Sequence, residues 1–560
     1  MANTLSRRDI IAGAGASALA LSGSAFAQRS PIARGVVFED RRGDGQRRPT
    51  DPGVPSVMIS NGRDVVRTGA DGSWSMPVEP GDSVFVIKPP HWTTGRSLGG
   101  IPKFSYIHQP DGSPTNLGGR FPLIAPTGAL PVSLDFPLTR QEEQLEFEAI
   151  LVSDTQPENS AELDYVRDDI IASMIGSRAV FGINHGDVVA DDLSLYPRYL
   201  QLLGTTGLPW HHCPGNHDLN HAAQDDRSSR ETWKSVFGAR HYAFQHGNAT
   251  FFILDNIEYF GRASGRYRGW IGPRQLDFVR NVLRHVPNEH LVVLSMHIPL
   301  RCYLDPSNPA DITADYSALL QLLGDRPNTV SFAGHLHATE HHYLHMEGGF
   351  AGRQPHHHHV LTAASGSWWS GPRDHRGVPF ADSSDGVPNG FHVLSVSNHH
   401  YATRFVPAAG KPAAQLRVLV DGPHCDRTGN AAPARSSSAK LGLAVPVSAL
   451  GQCRIVANVF DGGPKTRVSC EIVGQSWQMP MLPASMPDPL IRDLFMGDAP
   501  RKAWVQAVAS SHIWQVPLPA TLPPGAHVLQ VRAWDEYGRE HIARTVLEVV
   551  PSSTISSASL

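Results

Sequence analysis

The stretch Ala149-Ile150-Leu151-Val152-Ser153-Asp154-Thr155-Gln156 decides how the middle of this chain is read. Four apolar residues run straight into side chains that hold protons or metals. A short apolar run bounded in this way reads as a buried strand. The arrangement recurs downstream. Ala179-Val180-Phe181 leads to Asn184-His185-Gly186-Asp187, and Leu208-Pro209-Trp210 leads to Cys213-Pro214-Gly215-Asn216-His217-Asp218. Leu291-Val292-Val293-Leu294 leads to Ser295-Met296-His297, and Val330-Ser331-Phe332 to Ala333-Gly334-His335-Leu336-His337. Phe251-Phe252-Ile253-Leu254 is one more apolar run. Helical periodicity lies between the runs. Ala161 to Ile175 is apolar at helical spacing, and Pro273 opens a helix with Leu276, Val279, Val282 and Leu283 on one face. Alternating strands and helices predict an α/β unit over residues 141–403.

In open α/β sheets the carboxyl ends of the strands form the ligand crevice. Five strand ends, each delivering Asp, Asn, Gln or His, predict one convergent polar site. These are donors for hard-to-borderline metals, numerous enough for two ions, and one carboxylate can bridge two cations. Two metals about 3.5–4 Å apart clamp a phosphate and activate a water. Singly the pieces say little, because an Asp after a strand is commonly a turn or cap and a lone His is commonly structural. Gly215-Asn216-His217-Asp218 and Gly334-His335-Leu336-His337 are more specific, since packing explains neither.

Taken in order, these motifs resemble the calcineurin-like metallophosphoesterase family, whose pattern is Asp-x-His, Gly-Asp, Gly-Asn-His-Asp/Glu, His and Gly-His-x-His. The resemblance spans roughly residues 147–400. It implies a double-sheet α/β sandwich with two metal ions. Asp154, Gln156, Asp187 and His337 would hold the first, and Asp187, Asn216, His297 and His335 the second, with Asp187 bridging. His217 would be the catalytic histidine, with Asp218 orienting its ring. The implied reaction is hydrolysis of a phosphate mono- or diester by metal-hydroxide attack. Gln156 departs from the pattern, standing where most members carry His. An amide oxygen is a weaker, harder donor than an imidazole, so the metals stay open among manganese, iron and zinc.

Gly366-Ser367-Trp368-Trp369-Ser370-Gly371-Pro372 and Asp385-Gly386-Val387-Pro388-Asn389-Gly390-Phe391 resemble an exported bacterial branch of that family, with β domains on both sides of the catalytic one. Trp368, Trp369, Arg373 and His375 are candidate substrate contacts; burial of both tryptophans as packing is an equal alternative. Among the remaining histidines, His356 to His359 read as the start of an exposed strand or an adventitious metal site. His341, His342 and His345 belong to the strand and turn after Gly-His-x-His. His211, His212 and His221 flank the catalytic loop within reach of a phosphate.

The flanks read differently. At 560 residues the chain exceeds one core, and about 150 residues per domain gives three or four units. The abundance of Gly and Pro, 51 and 45, predicts many turns and β-rich parts. Residues 28–140 and 404–550 show short apolar strands between turn residues, predicting β-sandwich-like domains around the α/β core. Phe38 to Gly45 and Ala70 to Trp74 resemble the small β-sandwich repeats of secreted proteins, some of which bind calcium through the first loop, but Arg42 favours plain Asp-Gly turns. Residues 551–560 form a Ser-rich tail expected to be disordered. At the other end, Ser6-Arg7-Arg8-Asp9-Ile10-Ile11, an apolar run to about Ala20 and Ala25-Phe26-Ala27 resemble a twin-arginine signal peptide over residues 1–27. The run is too short for a membrane anchor, so a periplasmic or secreted location is expected, with no transmembrane segment in the mature chain. Of five cysteines, Cys453 and Cys470 flank a hairpin-like stretch and are candidates for a disulfide.

With a net charge of −4 and scattered Lys and Arg there is no basic stripe to hold a nucleic-acid backbone, so no nucleic-acid polymer is expected as partner. The expected partner is a phosphate ester, of envelope origin in a periplasmic setting. A competing reading is an envelope glycan-binding protein with a degenerate core; that only Gln156 departs from the ligand pattern weighs against it. A purely structural metal protein needs a closed ligand shell, and the spare His217-Asp218 pair speaks against that.

Overall fold

A computed structural model describes residues 30–409, 413–425, 436–439, 442–496 and 500–552. The signal-like segment 1–27 and the tail from residue 553 lie outside the described residues. Among the described residues, no helix is long and apolar enough to cross a membrane.

Two mixed sheets build the centre. The first has five strands: β1 (Glu146–Val152), β2 (Ala179–Asn184), β3 (Trp210–His212), β10 (Gly390–Ser397) and β11 (His400–Pro407). Their order is β3-β2-β1-β10-β11, with β1, β2 and β3 parallel and the last two antiparallel. The second has six: β4 (Tyr242–His246), β5 (Ala249–Ile253), β6 (Leu291–Ser295), β7 (Thr329–Ala333), β8 (Glu340–Leu344) and β9 (His356–Val360), ordered β4-β5-β6-β7-β9-β8. Every residue of β4, β5, β6, β7 and β9 is buried. That is why β5 and β6 read as continuous apolar runs rather than alternating ones. Leu151, Phe181, Ile183 and Phe251 join Phe252, Val293 and Phe332 in one core. The double-sheet α/β sandwich expected from the resemblance is the fold.

The helices cover the sheets as the periodicity predicts. Gly272–Leu283 buries Phe278, Val279, Val282 and Leu283. The expected helix over 161–175 is not uniform: Ser160–Tyr165 and Ala172–Met174 are α-helical, and Val166–Ile171 between them is wound as a π-helix.

Before the centre, residues 32–140 form two four-stranded sheets whose apolar faces merge into the central core, as when Phe85 packs edge-on against Phe278 at 5.7 Å. The Asp40 loop is an Asp-Gly turn, with the carboxylate accepting from the backbone N–H groups of Arg42, Gly43 and Gly45. After the centre, two five-stranded sheets enclose a separate core built on Ile455, Val468, Leu529 and Val531. Both flanks are β-rich, as expected. Cys453 and Cys470 both contribute to that later core as buried free thiols, so the suggested disulfide is not present.

His356 to His359 overturn their reading as an exposed strand. The four form a fully buried strand in the six-stranded sheet, between β7 and β8. Ser331 and Thr329 hydroxyls hold His356 and His358.

Candidate active site

The seven candidate ligands come from the carboxyl ends of β1, β2, β3, β6 and β7 and meet between the two sheets. Asp187 is the hub. Its Oδ2 lies 3.3 Å from His297 Nε2 and accepts the Gln156 amide at 2.8 Å, while its Oδ1 accepts the His217 backbone N–H at 2.9 Å. His297 Nε2 is also 3.0 Å from Asn216 Oδ1 and 3.2 Å from His335 Nδ1. Asp154 sits on the other side, with Oδ1 3.8 Å from His337 Nε2.

Two backbone carbonyls fix the histidine tautomers. His297 Nδ1 lies 2.8 Å from the His185 carbonyl and His337 Nδ1 lies 2.5 Å from that of Gly366. A carbonyl only accepts, so each Nδ1 carries the proton, and in the neutral ring that a metal needs the bare Nε2 is aimed at a carboxylate. His337 Nε2 and Gln156 Oε1 are buried with no hydrogen-bond partner. An unpaired buried acceptor facing a carboxylate, as His337 Nε2 faces Asp154, is relieved by positive charge between the two. Burial pushes His297 down, yet Asp187 lifts it to about 9, so the site draws a cation in one form or another. Burial works against Asp187 ionising, but His297 and His217 hold its carboxyl well below the usual range. The donor set therefore fits divalent metals, and Asp187, His297 and His335 bring ligand atoms within 4.8 Å of one another.

The backbone is bent to make this possible. Asp154, Gln156, Asp187, His335 and His337 all have positive φ, between 37° and 75°. Such conformations cost of order 1–3 kcal/mol each and persist where the surroundings over-determine them, typically at functional sites. Gly334 leaves no room for a side chain: a Cβ there would stand 1.6 Å from Ser153 Oγ and 2.4 Å from Asp154 Oδ2. Gly215 is similar, with Asp187 Oδ1 at 2.1 Å.

Two family models match the chain. One, described as calcineurin-like phosphoesterase, takes residues 149–339; the other, described as the C terminal of calcineurin-like phosphoesterase, takes residues 358–541. The chain belongs to the calcineurin-like phosphoesterases. It is thus a metal-dependent phosphoric ester hydrolase. Among solved structures, a purple acid phosphatase from yellow lupin (Lupinus luteus) seeds is similar over 63% of this chain and 67% of its own, at 11% identity and a TM-score of 0.31. That likeness is too slight to add to the topology. No curated protein matches significantly.

Around the phosphoesterase ligands, several placements differ from the sequence reading. The carboxylate on His217 is Asp191, whose Oδ1 lies 2.8 Å from Nδ1, and not Asp218. Asp218 is fully buried, accepting from Tyr196 Oη and the backbone N–H groups of Gly215 and Val188. It shapes the loop that carries His217. Burial lowers His217, but Asp187 and Asp191 outweigh it and raise the ring to about 9. Asp311 was also missed; it lies 3.5 Å from His335 Nε2, leaving His335 Nδ1 toward His297. Asp191 and Asp311 lie in loops, and only the backbone's course brings them in.

Trp368 and Trp369 divide. Trp368 stacks flat on His337, with centroids 3.8 Å apart and planes at 14°. Trp369 is buried, donating its indole N–H to the Thr155 carbonyl at 3.0 Å, so it is packing and not a substrate contact. The Arg373 guanidinium is engaged by Tyr165 Oη and the Gly377 carbonyl, and His375 is exposed on the same loop. Among the described residues, no hydrogen bond joins Arg373 or His375 to the seven ligand candidates. His211 and His212 are buried against Phe244 and Phe237, out of a phosphate's reach. His221 shares Asp191 with His217, at 3.1 Å.

Proposed function

We propose that this phosphoesterase is an exported enzyme that hydrolyses phosphate mono- or diesters with two metal ions. Asp154, Gln156, Asp187 and His337 would hold one ion, and Asp187, Asn216, His297 and His335 the other. The observation that carries the reading is the pair of histidines, His297 and His337, each locked by a carbonyl with a bare Nε2 facing a carboxylate. When bound, the metals supply water activation and neutralise phosphate oxygens.

The chain's own residues do the rest. Asp187 contacts both halves of the ligand set and fixes their separation. Asn216 Oδ1 and His297 Nε2 stand 3.0 Å apart, close enough to hold one ion without moving. His217, anchored by Asp191, keeps a proton at neutral pH for the leaving oxygen of the ester. The stack of Trp368 on His337 excludes water from that ligand's open face.

The test compares wild type, Asp187→Asn and His217→Ala on an aryl phosphate monoester and an aryl diester. Each protein is reconstituted with manganese, iron or zinc, and its bound metal is counted. The expected result is activity in wild type, metal loss in Asp187→Asn, and metal retained without turnover in His217→Ala. A wild type that takes up fewer than two metals and cleaves neither ester would sink the proposal and favour the glycan-binding reading. Export rests on the Arg7-Arg8 motif. Changing both arginines to lysine should leave the enzyme in the cytoplasm; unchanged export would refute the twin-arginine route.

A further inference from the structure

A second constellation of metal-type donors lies where the catalytic sandwich meets the C-terminal β domain, sharing no residue with the catalytic ligand set. His341 on β8 and His359 on β9 are paired across the sheet, their rings stacked with centroids 4.0 Å apart. His392 comes from β10 of the other sheet. Asp461, just after the C-terminal strand Arg454–Val459, reaches into the gap between them. Its Oδ1 lies 3.3 Å from His341 Nε2, 3.0 Å from His359 Nε2 and 3.2 Å from His392 Nε2. All four side chains are buried. Gly463 lets the Asp461 loop come this close, since a Cβ there would sit 2.7 Å from the His341 Cβ.

Hydrogen bonds alone do not satisfy this cluster. One carboxylate oxygen offers about two lone pairs, and three imidazole nitrogens converge on it. His341 Nδ1 is 2.8 Å from His357 Nε2, and His357 Nδ1 is 2.9 Å from Tyr401 Oη. In one direction of that relay His341 Nδ1–H donates to His357 Nε2 and His357 Nδ1–H donates to Tyr401 Oη, which is the tautomer that leaves His341 Nε2 bare for a metal. His359 has neither ring nitrogen in hydrogen-bond geometry, although Nε2 is close to Asp461, and His392 Nδ1 is unpaired as well. Fully buried imidazoles without partners are costly.

The spacing suits a metal better. Ligands about 2.0–2.1 Å from a tetrahedral zinc-type ion stand roughly 3.3–3.4 Å apart. The donor atoms of His341, His359 and Asp461 lie within 4.8 Å of one another, and the two Nε2-to-Oδ1 distances are 3.3 and 3.0 Å. Imidazole and carboxylate donors match a borderline divalent ion of the zinc class. We propose that His341, His359 and Asp461 bind such an ion, with His392 holding the same carboxylate, and that it clips the C-terminal domain to both central sheets. The burial of all four side chains sets it apart from an open catalytic site, and three protein donors leave a fourth position for a water.

The test uses full-length chain in which Asp187→Asn and His335→Ala have removed catalytic ligands, with metal counted by elemental analysis after zinc loading and desalting. About one tightly held ion should remain, and adding His359→Gln should remove it. In the otherwise wild-type chain, His359→Gln should lower bound metal by one equivalent while aryl phosphate hydrolysis persists. If His359→Gln and Asp461→Asn leave the metal count unchanged in both backgrounds, the site is a protonated histidine–aspartate network and the proposal is wrong. Should these variants fail to fold, anomalous scattering from wild-type crystals decides. A peak between His341, His359 and Asp461 is expected, and its absence beside metal-filled catalytic positions would overturn the proposal.

Discussion

Replacing Asp191 with Asn asks directly which carboxylate works with His217. Asp191 Oδ1 accepts from His217 Nδ1 at 2.8 Å and also faces His221 Nε2 at 3.1 Å. Asn keeps the shape and tolerates the left-handed backbone that this position needs, at φ 63°. The substitution therefore removes charge and little else. A hydrogen bond to a charged group contributes about 1.5–3 kcal/mol. Asp191 is 57% exposed, so solvent screening puts the loss at the low end. About 1.4 kcal/mol is tenfold in rate. We expect kcat on phenyl phosphate, whose leaving oxygen needs a proton, to fall about tenfold. On 4-nitrophenyl phosphate, whose leaving group departs unprotonated, the fall should be much smaller. KM and metal content should hold. Equal losses on both esters, or loss of metal, would refute proton delivery by an Asp191-supported His217. Asp218→Asn provides the contrast. It disturbs three buried hydrogen bonds rather than the imidazole, so it should lower the unfolding midpoint and affect both esters alike.

Trp369→Phe strands the Thr155 carbonyl and should cost about 1–3 kcal/mol in denaturant unfolding, whereas Trp368→Ala should leave stability near wild type and weaken metal retention through His337; the reverse pattern would mean that the two roles are exchanged. Gly334→Ala forces a Cβ onto Ser153 and Asp154, so purified protein should hold less metal, and full metal occupancy would refute the steric reading. His212, His241 and His356 are each driven by burial to about 3, far below an unfolded histidine near 6.5. Below pH 6.5 the unfolded chain binds protons that the native chain refuses, so stability is complete above that pH and is lost on acidification toward 3. Between pH 7.5 and 5.5 each should cost about 1.4 kcal/mol, and an unfolding free energy flat across that range would show that these rings are not buried neutral.

The centre of the fold was legible because strand ends announce themselves. Continuous apolar runs such as Leu291–Leu294 have only one place to go in a two-sheet sandwich, and the residue types after them are wrong for packing. The seven ligand candidates follow from that logic, one or two per strand end. Asp191 and Asp311 were not legible, because each reaches the site from a loop, and no local period or motif records where a loop passes. Asp218 misled for the opposite reason. Adjacency to His217 in sequence suggests contact, but the short 3₁₀ turn Asn216–Asp218 sends the two side chains to opposite sides, His217 outward and Asp218 into the core.

The run of four histidines was misread for a related cause. A run of polar, charge-capable residues usually signals exposure, yet these lie in an interior strand. A histidine can enter a core when its two nitrogens have partners, and here serine, threonine, tyrosine and neighbouring histidines supply most of them. His359 is the exception, and it is the one that faces Asp461 from the next domain. Its missing partner therefore cannot be read from the strand alone. It becomes visible only once the C-terminal domain is docked, which ties the chemistry of this buried strand to that domain rather than to the candidate catalytic ligands.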